Sequence, residues 1–133
     1  MSSDIQPKLF RLIDANLNRL KEGIRVVEDI NRYIYNNKTV SSKLKELRHF
    51  TKIENYLELL SYRDIQNDVL KANTKTEMER ENITYLLLAN YKRAQEASRV
   101  LEEVFKLLNL EKSKDFKMIR YKLYELEQEN LTK

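Results

Sequence analysis

The chain has no cysteine, one glycine, one proline and one histidine among its 133 residues. Without cysteine, disulfides, thiolate zinc sites and cysteine nucleophiles are excluded. The single histidine, His49, cannot form a metal site with two histidine ligands, and it argues against a Ser-His-Asp triad. The single glycine, Gly23, excludes a P-loop and a dinucleotide-binding loop, and it argues against a β-rich fold with tight turns.

Long apolar runs are absent as well. No stretch of about 18 apolar residues occurs, and no signal-peptide core follows Met1, so we expect a cytoplasmic chain without a membrane partner. Hydrophobic residues still make up 41% of the chain, which is enough for a single helical domain over residues 1–133. The net charge of +4 is spread along the sequence and would suit an anionic small molecule or nucleic acid equally well.

Apolar residues recur at steps of three and four, which predicts helices. The first predicted helix covers about residues 8–36, and the second begins at a Ser41 or Ser42 cap and continues to Leu60. A loop follows over residues 61–76; a third helix opens at the Thr76 capping box, and a fourth follows a break near residues 109–113. No segment has the alternation of a strand. We therefore predict an all-α, antiparallel four-helix bundle.

The two halves of the chain resemble each other at a constant offset of 74 residues. The matched pairs are Asn16/Asn90, Arg19/Arg93, Glu22/Glu96, Arg25/Arg99, Val26/Val100 and Glu28/Glu102. Six matches in one frame predict a duplicated helix pair with approximate two-fold symmetry, its halves at about 8–60 and 77–130.

Asparagine occupies the apolar stripe of each long helix, at Asn16 and Asn90. A buried amide costs stability unless it is paired, so each asparagine is either a register device or part of a binding site. Gly23 follows one heptad after Asn16 and predicts close packing against a neighbouring helix or, less readily, a ligand.

Charged residues flank these asparagines in both halves. On a single helix, Arg19, Glu22 and Arg25 would be a solvated row of ion pairs. Their repetition at Arg93, Glu96 and Arg99 favours a shared pocket instead. Guanidinium groups bind phosphate through two hydrogen bonds, and carboxylates hold Mg²⁺ directly or through water.

The predicted loop holds Arg63, Asp64 and Asp68, the best candidates for metal and phosphate chemistry outside the helices. Two loop aspartates at this spacing are more often turn formers or caps. Tyr121 and Tyr124 on the last helix could stack on a heterocycle, although aromatic residues at helical spacing are usually core residues.

Several stretches together resemble a known family. They are Ile13–Arg19 with Glu22–Glu28, Arg63-Asp64 with Asp68-Val69, Ala89–Glu103, and Arg120-Tyr121 with Tyr124–Glu127. The set extends over about residues 9–128 and resembles the helical hydroxymethylpyrimidine-phosphate kinase family of thiamine biosynthesis, a domain found alone or fused before thiamine-phosphate synthase. That family commonly has glycine after the Asp-Val pair, where this chain has Leu70.

The resemblance implies transfer of the γ-phosphoryl group of ATP, with Mg²⁺, to hydroxymethylpyrimidine phosphate to give the diphosphate. Such a transfer needs positioning and charge neutralisation, which arginine, lysine and Mg²⁺ supply without a protein nucleophile. From the residues we assign catalysis to Arg19, Arg93, Asp64 and Asp68, and metal binding to the two aspartates. Substrate binding is assigned to Asn16, Asn90, Glu22, Glu96, Arg25, Arg99, Arg63, Arg120 and Tyr121.

Two other functions stay open at this point. One is a non-catalytic helical module that docks thiamine-phosphate synthase through an apolar or charged face. The other is a helical nucleic-acid binder, supported by a pI of 9.2 and eight tyrosines. Glutamates interleaved with the arginines weaken affinity for a phosphate backbone, so we expect no nucleic-acid partner. A homo-oligomer is compatible with the sequence.

Overall fold

The computed structural model describes residues 5–71 and 82–132, and throughout these ranges it contains helices and turns but no strand. Helix α1 covers Gln6–Asp29 and continues into a π-helical turn over Ile30–Ile34. Helix α2 covers Lys38–Phe50, α3 covers Tyr56–Leu60, α4 covers Ile83–Phe105 and α5 covers Leu110–Leu131. The predicted all-α bundle is confirmed.

The core lies where α1 packs against α4, with α5 against α4 and α2 against α1. The predicted apolar stripes of the long helices supply it, because residues three and four apart share one helix face. Buried members include Ile13, Leu17, Leu20, Ile24, Val27, Leu87, Ala94, Leu101, Ile119 and Leu123. No helix in the described part of the chain is long and apolar enough to span a membrane.

Asparagine side chains cap α2, α4 and α5. Asn37 accepts a hydrogen bond from the Val40 amide at the start of α2, Asn82 caps α4 and Asn109 caps α5. The predicted serine cap of α2 is therefore wrong, and the Ser41 hydroxyl instead donates back to the Asn37 carbonyl. The predicted capping box at Thr76 lies outside the described residues.

The second predicted helix is in fact two helices. Thr51 ends α2, since its hydroxyl and its amide both donate to the Arg48 carbonyl, at 2.6 and 3.2 Å. The chain resumes helical geometry only at Tyr56. The apolar period predicts that Phe50, Ile53, Leu57 and Leu60 continue the buried stripe through this break. Ile53 does pack against the core, but Leu57 is 79% exposed and Leu60 and Phe50 are exposed too, so the prediction is wrong at those three positions.

Matched ion pairs appear in the two halves. Glu28 of α1 binds Arg48 of α2 at 2.6 Å, and Glu102 of α4 binds Arg120 of α5 at 2.9 Å. Glu28 and Glu102 are one of the predicted repeat pairs, and Arg48 and Arg120 occupy corresponding positions on the partner helices. Each helix pair is thus joined by an ion pair whose carboxylate is buried, which agrees with the predicted duplication.

A second polar contact in the interior has no signal in the hydrophobic pattern. Tyr91 is fully buried, and its hydroxyl donates to the side-chain oxygen of Asn130 at 2.9 Å. The amides of Asn130 and Asn31 exchange hydrogen bonds of 2.8 and 2.9 Å. This network joins the π-helical turn to α4 and α5, and it satisfies polar groups that would otherwise be costly to bury.

Candidate functional site

A groove of about 750 Å³ runs along the exposed side of the first two-thirds of α1. One wall belongs to the segment after α3, and α4 contributes Arg93. Seven of the residues assigned from sequence line it: Asn16, Arg19, Glu22, Arg63, Asp64, Asp68 and Arg93. Other lining residues include Lys8, Arg11, Asp14 and Asn18. The fold therefore gathers loop carboxylates and helix cations that are far apart in the sequence.

An ion pair attaches the loop wall to α1. Arg63 donates from Nε to Asp14 Oδ2 at 2.7 Å and from Nη2 to Asp14 Oδ1 at 2.9 Å. Asp14 is only 2% exposed, and Tyr56 of α3 adds a hydroxyl acceptor 3.3 Å from Arg63 Nη2. The bond to Asp14 raises the pKa of Arg63 above its already high usual value. Both bonded nitrogens of Arg63 are therefore used within the protein. The sequence does not predict a role for Asp14, because a single aspartate next to an apolar stripe has no distinguishing pattern.

The two loop aspartates have local hydrogen bonds. Asp64 accepts from the side chain and the backbone amide of Asn67, at 2.6 and 3.0 Å, and Asp68 accepts from the Leu70 amide at 3.0 Å. The Asn67 side chain, followed by its backbone amide, holds the pKa of Asp64 below its usual range. Both aspartates therefore act as turn formers, as the alternative interpretation expected, while they also line the groove.

Cationic side chains dominate the opposite wall. Arg19 donates to the side-chain oxygen of Asn16 at 3.5 Å, and Arg11 donates to the Asp64 carbonyl at 3.1 Å. Arg93 lies 3.6 Å from Glu22, and both of these side chains are largely exposed. Exposed pairs of this kind contribute little to stability, so the guanidinium groups can bind an anion at small cost.

Asn16 and Asn90, the asparagines in the apolar stripes of α1 and α4, differ in their position relative to the groove. Each donates from Nδ2 to the carbonyl four residues earlier, Asn16 to Leu12 at 3.0 Å and Asn90 to Leu86 at 2.9 Å. Asn16 lines the groove, whereas the Asn90 carbonyl packs against Gly23. Each amide is thus satisfied by its own helix, and only Asn16 presents an atom to the groove.

The other assigned residues lie outside the groove lining. Arg25 pairs with Asp29 at 3.4 Å, and Arg99 pairs with Glu103 at 3.3 Å, each on its own helix, while Glu96 is exposed. Arg120 is buried with Glu102 and has the rings of Tyr121 and Tyr124 about it, at 5.0 and 5.7 Å. The repetition of charges in both halves predicted a shared pocket, but a helix turns too far in six residues to keep Arg19 and Arg25 in one narrow groove.

Within residues 5–71 and 82–132, no three His, Cys, Asp or Glu side chains converge as a ready-made metal site. Asp64 and Asp68 are the acidic loop residues at the groove. A cation such as Mg²⁺ retains several waters and binds through one or two carboxylates plus phosphate oxygens, so a pair of loop aspartates fits that use.

The bundle and its groove define a small helical domain with a surface groove lined by basic and acidic side chains. The chain belongs to the ThiD2 family, whose model matches residues 11–129. It is 36% identical over 124 residues to the thiamine-phosphate synthase of Nostoc sp. (strain PCC 7120), covering 92% of this chain and 35% of that protein. It is 39% identical over 118 residues to the Synechocystis sp. protein of the same name, covering 88% and 34%.

A more distant relative has the same name. The thiamine-phosphate synthase of Rhodopirellula baltica is 33% identical over 121 residues, covering 87% of this chain and 32% of that protein. The chain thus spans about a third of the length of these relatives. Their names connect the family to thiamine biosynthesis, which confirms the resemblance at that level. No solved structure matches the chain.

Proposed function

We propose that this domain is a phosphotransferase of thiamine biosynthesis that moves the γ-phosphoryl group of ATP to hydroxymethylpyrimidine phosphate. The observation that carries the proposal is the groove, where Arg19 and Arg93 lie on one side and Asp64 and Asp68 on the other. Phosphoryl transfer needs this combination of fixed positive charge and metal-binding carboxylates.

The reaction is a transfer between phosphates. A phosphate oxygen of the acceptor forms the new bond to the γ-phosphorus, and the bond from the γ-phosphorus to the bridging oxygen of ATP breaks. ADP leaves, and the acceptor becomes a diphosphate. Because the acceptor oxygen is already anionic near neutral pH, the step needs no strong general base, which agrees with a chain that has one histidine.

Each groove residue then has a defined task. Arg19 and Arg93 neutralise phosphate charge through paired hydrogen bonds, and Asn16 supports Arg19 through its side-chain oxygen. Asp64 and Asp68 would hold Mg²⁺, largely through water, and the metal would neutralise charge on the phosphates. Lys8 and Arg11 extend the cationic surface toward the start of α1.

The direct test is incubation of the protein with ATP, Mg²⁺ and hydroxymethylpyrimidine phosphate, with ³¹P NMR to follow ADP and the new diphosphate. We expect the diphosphate to appear at a rate that falls at least tenfold in Arg19→Lys. Arg25→Lys serves as the matched control, because Arg25 lies on the same helix outside the groove lining. If the wild-type protein forms no diphosphate, the kinase proposal is wrong.

A non-catalytic docking module is the second candidate, and one surface favours it. The segment after α2 exposes large apolar side chains, with Leu57, Ile65, Val69 and Leu70 between 66% and 92% exposed. The chain also spans only about a third of its named relatives, so a thiamine-phosphate synthase domain is the natural partner to consider. Co-elution of the two proteins, lost in Leu57→Ser with Val69→Ser, would support docking. Diphosphate formation by the isolated domain would show that docking is not its sole role.

A further inference from the structure

The pair formed by Arg63 and Asp14 occupies a special place in the groove, because it joins the loop wall to α1. Both carboxylate oxygens of Asp14 accept from one guanidinium, at 2.7 and 2.9 Å. Because Nε and Nη2 are both bonded to Asp14, and Nη2 also contacts Tyr56, Arg63 offers no two-nitrogen fork to a phosphate. Its position in the chain, directly before Asp64, suggests a different task.

We propose that Arg63 and Asp14 are positioning residues, which hold residues 63–70 against α1 so that Asp64 and Asp68 line the groove. The inference rests on the function proposed above, since it gives the two aspartates a ligand to act on. Neither Arg63 nor Asp14 needs to touch that ligand, because both act through the carboxylates of Asp64 and Asp68.

Hydrogen bonds join the residues that follow Arg63 into a run of turns. Asp64 accepts from Asn67, the Asp68 amide donates to the Ile65 carbonyl at 3.3 Å, and Asp68 accepts from the Leu70 amide. Core packing does not hold these turns, since Ile65 is 66% and Leu70 is 83% exposed. The contacts to α1 are the Asp14 pair and the bond from Arg11 to the Asp64 carbonyl, with Phe10 and Tyr62 in contact just before them.

The second half of the duplicated fold lacks this device. At the offset of 74 residues, the counterpart of Asp14 is Leu88, and the counterpart of Arg11 is Tyr85. Neither side chain can receive or supply the charged contacts that seat the loop. Because the two halves differ at these positions, the chain has one complete site, and we expect one bound Mg²⁺·ATP per chain.

The chain offers a matched control in Arg48, which binds Glu28 through two nitrogens at 2.6 and 3.2 Å. The acidic partner is as buried as Asp14, and both arginine side chains are partly exposed, at 20% and 30%. Arg48 does not line the groove. Arg63→Lys and Arg48→Lys thus remove the same fork from similar pairs, and only the first loosens the loop wall.

Two measurements test the positioning role. Amide hydrogen exchange at Asn67 and Leu70 should become at least tenfold faster in Arg63→Lys and change less than twofold in Arg48→Lys. The affinity for Mn²⁺·ATP, followed by water-proton relaxation, should fall at least fivefold in Arg63→Lys alone. Unchanged exchange in Arg63→Lys would overturn the proposal, and so would faster exchange with unchanged affinity.

A double-mutant cycle separates positioning from direct binding. In a protein that carries Asp64→Asn and Asp68→Asn, Arg63→Lys should no longer alter Mn²⁺·ATP affinity, because the carboxylates through which it acts are gone. A full effect of Arg63→Lys in that background would place Arg63 on the ligand and overturn the proposal.

These readouts do not use turnover, so a wild-type protein that binds Mn²⁺·ATP and transfers no phosphoryl group refutes the kinase alone. Calorimetry that gives two equivalents per chain would refute the single site.

Discussion

A Cβ atom built on Gly23 of α1 would lie 3.0 Å from the backbone carbonyl oxygen of Asn90 in α4. The same atom would lie 3.2 Å from the Ala94 Cβ. The backbones of the two core helices therefore approach closely at this point, and Arg93 on α4 comes within reach of Glu22 on α1. The close approach predicted for Gly23 is confirmed, with a helix as the neighbour.

Substitution of Gly23 should be destabilising in proportion to size. Overpacking costs about 1–3 kcal/mol, against a gain of about 1 kcal/mol from replacing glycine inside a helix. We expect Gly23→Ala to lower the free energy of unfolding by about 1 kcal/mol and Gly23→Val by about 2–3 kcal/mol, measured by urea unfolding. A more stable Gly23→Ala protein would mean that α4 can move away without cost.

The buried ion pairs should be sensitive to the loss of one partner. Arg120→Met removes the two hydrogen bonds to the buried Glu102 and leaves it only the exposed Arg99, 3.9 Å away, so we expect a loss of about 3 kcal/mol in unfolding free energy. Arg48→Met should cost at least as much, since the Glu28 side chain left behind is 2% exposed against 7% for Glu102. Adding Glu102→Gln to Arg120→Met should recover part of the loss, because the unpaired charge is then removed. A double variant as unstable as Arg120→Met alone would contradict this explanation.

Substitutions of Asn16 and Asn90 should have different effects on Mg²⁺·ATP affinity. Asn16→Leu removes the groove atom that faces Arg19, so we expect at least a tenfold loss of Mg²⁺·ATP affinity with retained helicity. Asn90→Leu should leave that affinity within about twofold, because the Asn90 amide bonds within its own helix, away from the groove lining. Calorimetry and circular dichroism measure both effects. Equal losses in the two variants would restore the original hypothesis that both asparagines bind ligand.

Arginine should not be replaceable by lysine at the groove. Lysine keeps the charge and loses the two-nitrogen fork, so Arg19→Lys and Arg93→Lys should each weaken nucleotide binding about tenfold. Arg25→Lys and Arg99→Lys should change it less than about twofold, because each pairs on its own helix. Equal losses of affinity at all four positions would instead support the pocket shared by all four arginines that the sequence predicts.

Asp64 should titrate below the ordinary aspartate pKa of 3.8, because the Asn67 side chain donates to its charged form. A carboxyl group with a lowered pKa in the folded protein adds stability above its unfolded pKa, and loses it as pH falls through the folded value. Asp64 is therefore ionised near neutral pH and adds no acid limb to the rate between about pH 5 and 8. Carbon-detected NMR should show this midpoint, and Asn67→Ala should raise it. An unchanged midpoint in Asn67→Ala would remove the stated cause.

Most of the helical architecture follows from the sequence alone. Burial of Ile13, Leu17 and Leu20 was predictable because an isolated amphipathic stripe has one way to leave water, whatever its partner is. The repeat of Asn16 and Arg19 at Asn90 and Arg93 also follows from the sequence, but only Asn16, Arg19 and Arg93 line the groove. Asp64 and Asp68 are predictable candidates from the sequence, because both are acidic residues in a predicted loop.

Tertiary structure decided which of those residues meet. The helix breaks at Thr51, whose hydroxyl donates to the Arg48 carbonyl, and beyond the break Leu57 and Leu60 are exposed in spite of their period while Leu59 is buried instead. Arg63 became a partner of Asp14 because the chain folds back across α1, a contact over 49 residues that no local pattern encodes. Helical periodicity specifies the face on which a side chain lies, but the packing of α1, α4 and the loop sets the distance between faces. The stripe therefore followed from the sequence alone, and the composition of the groove did not.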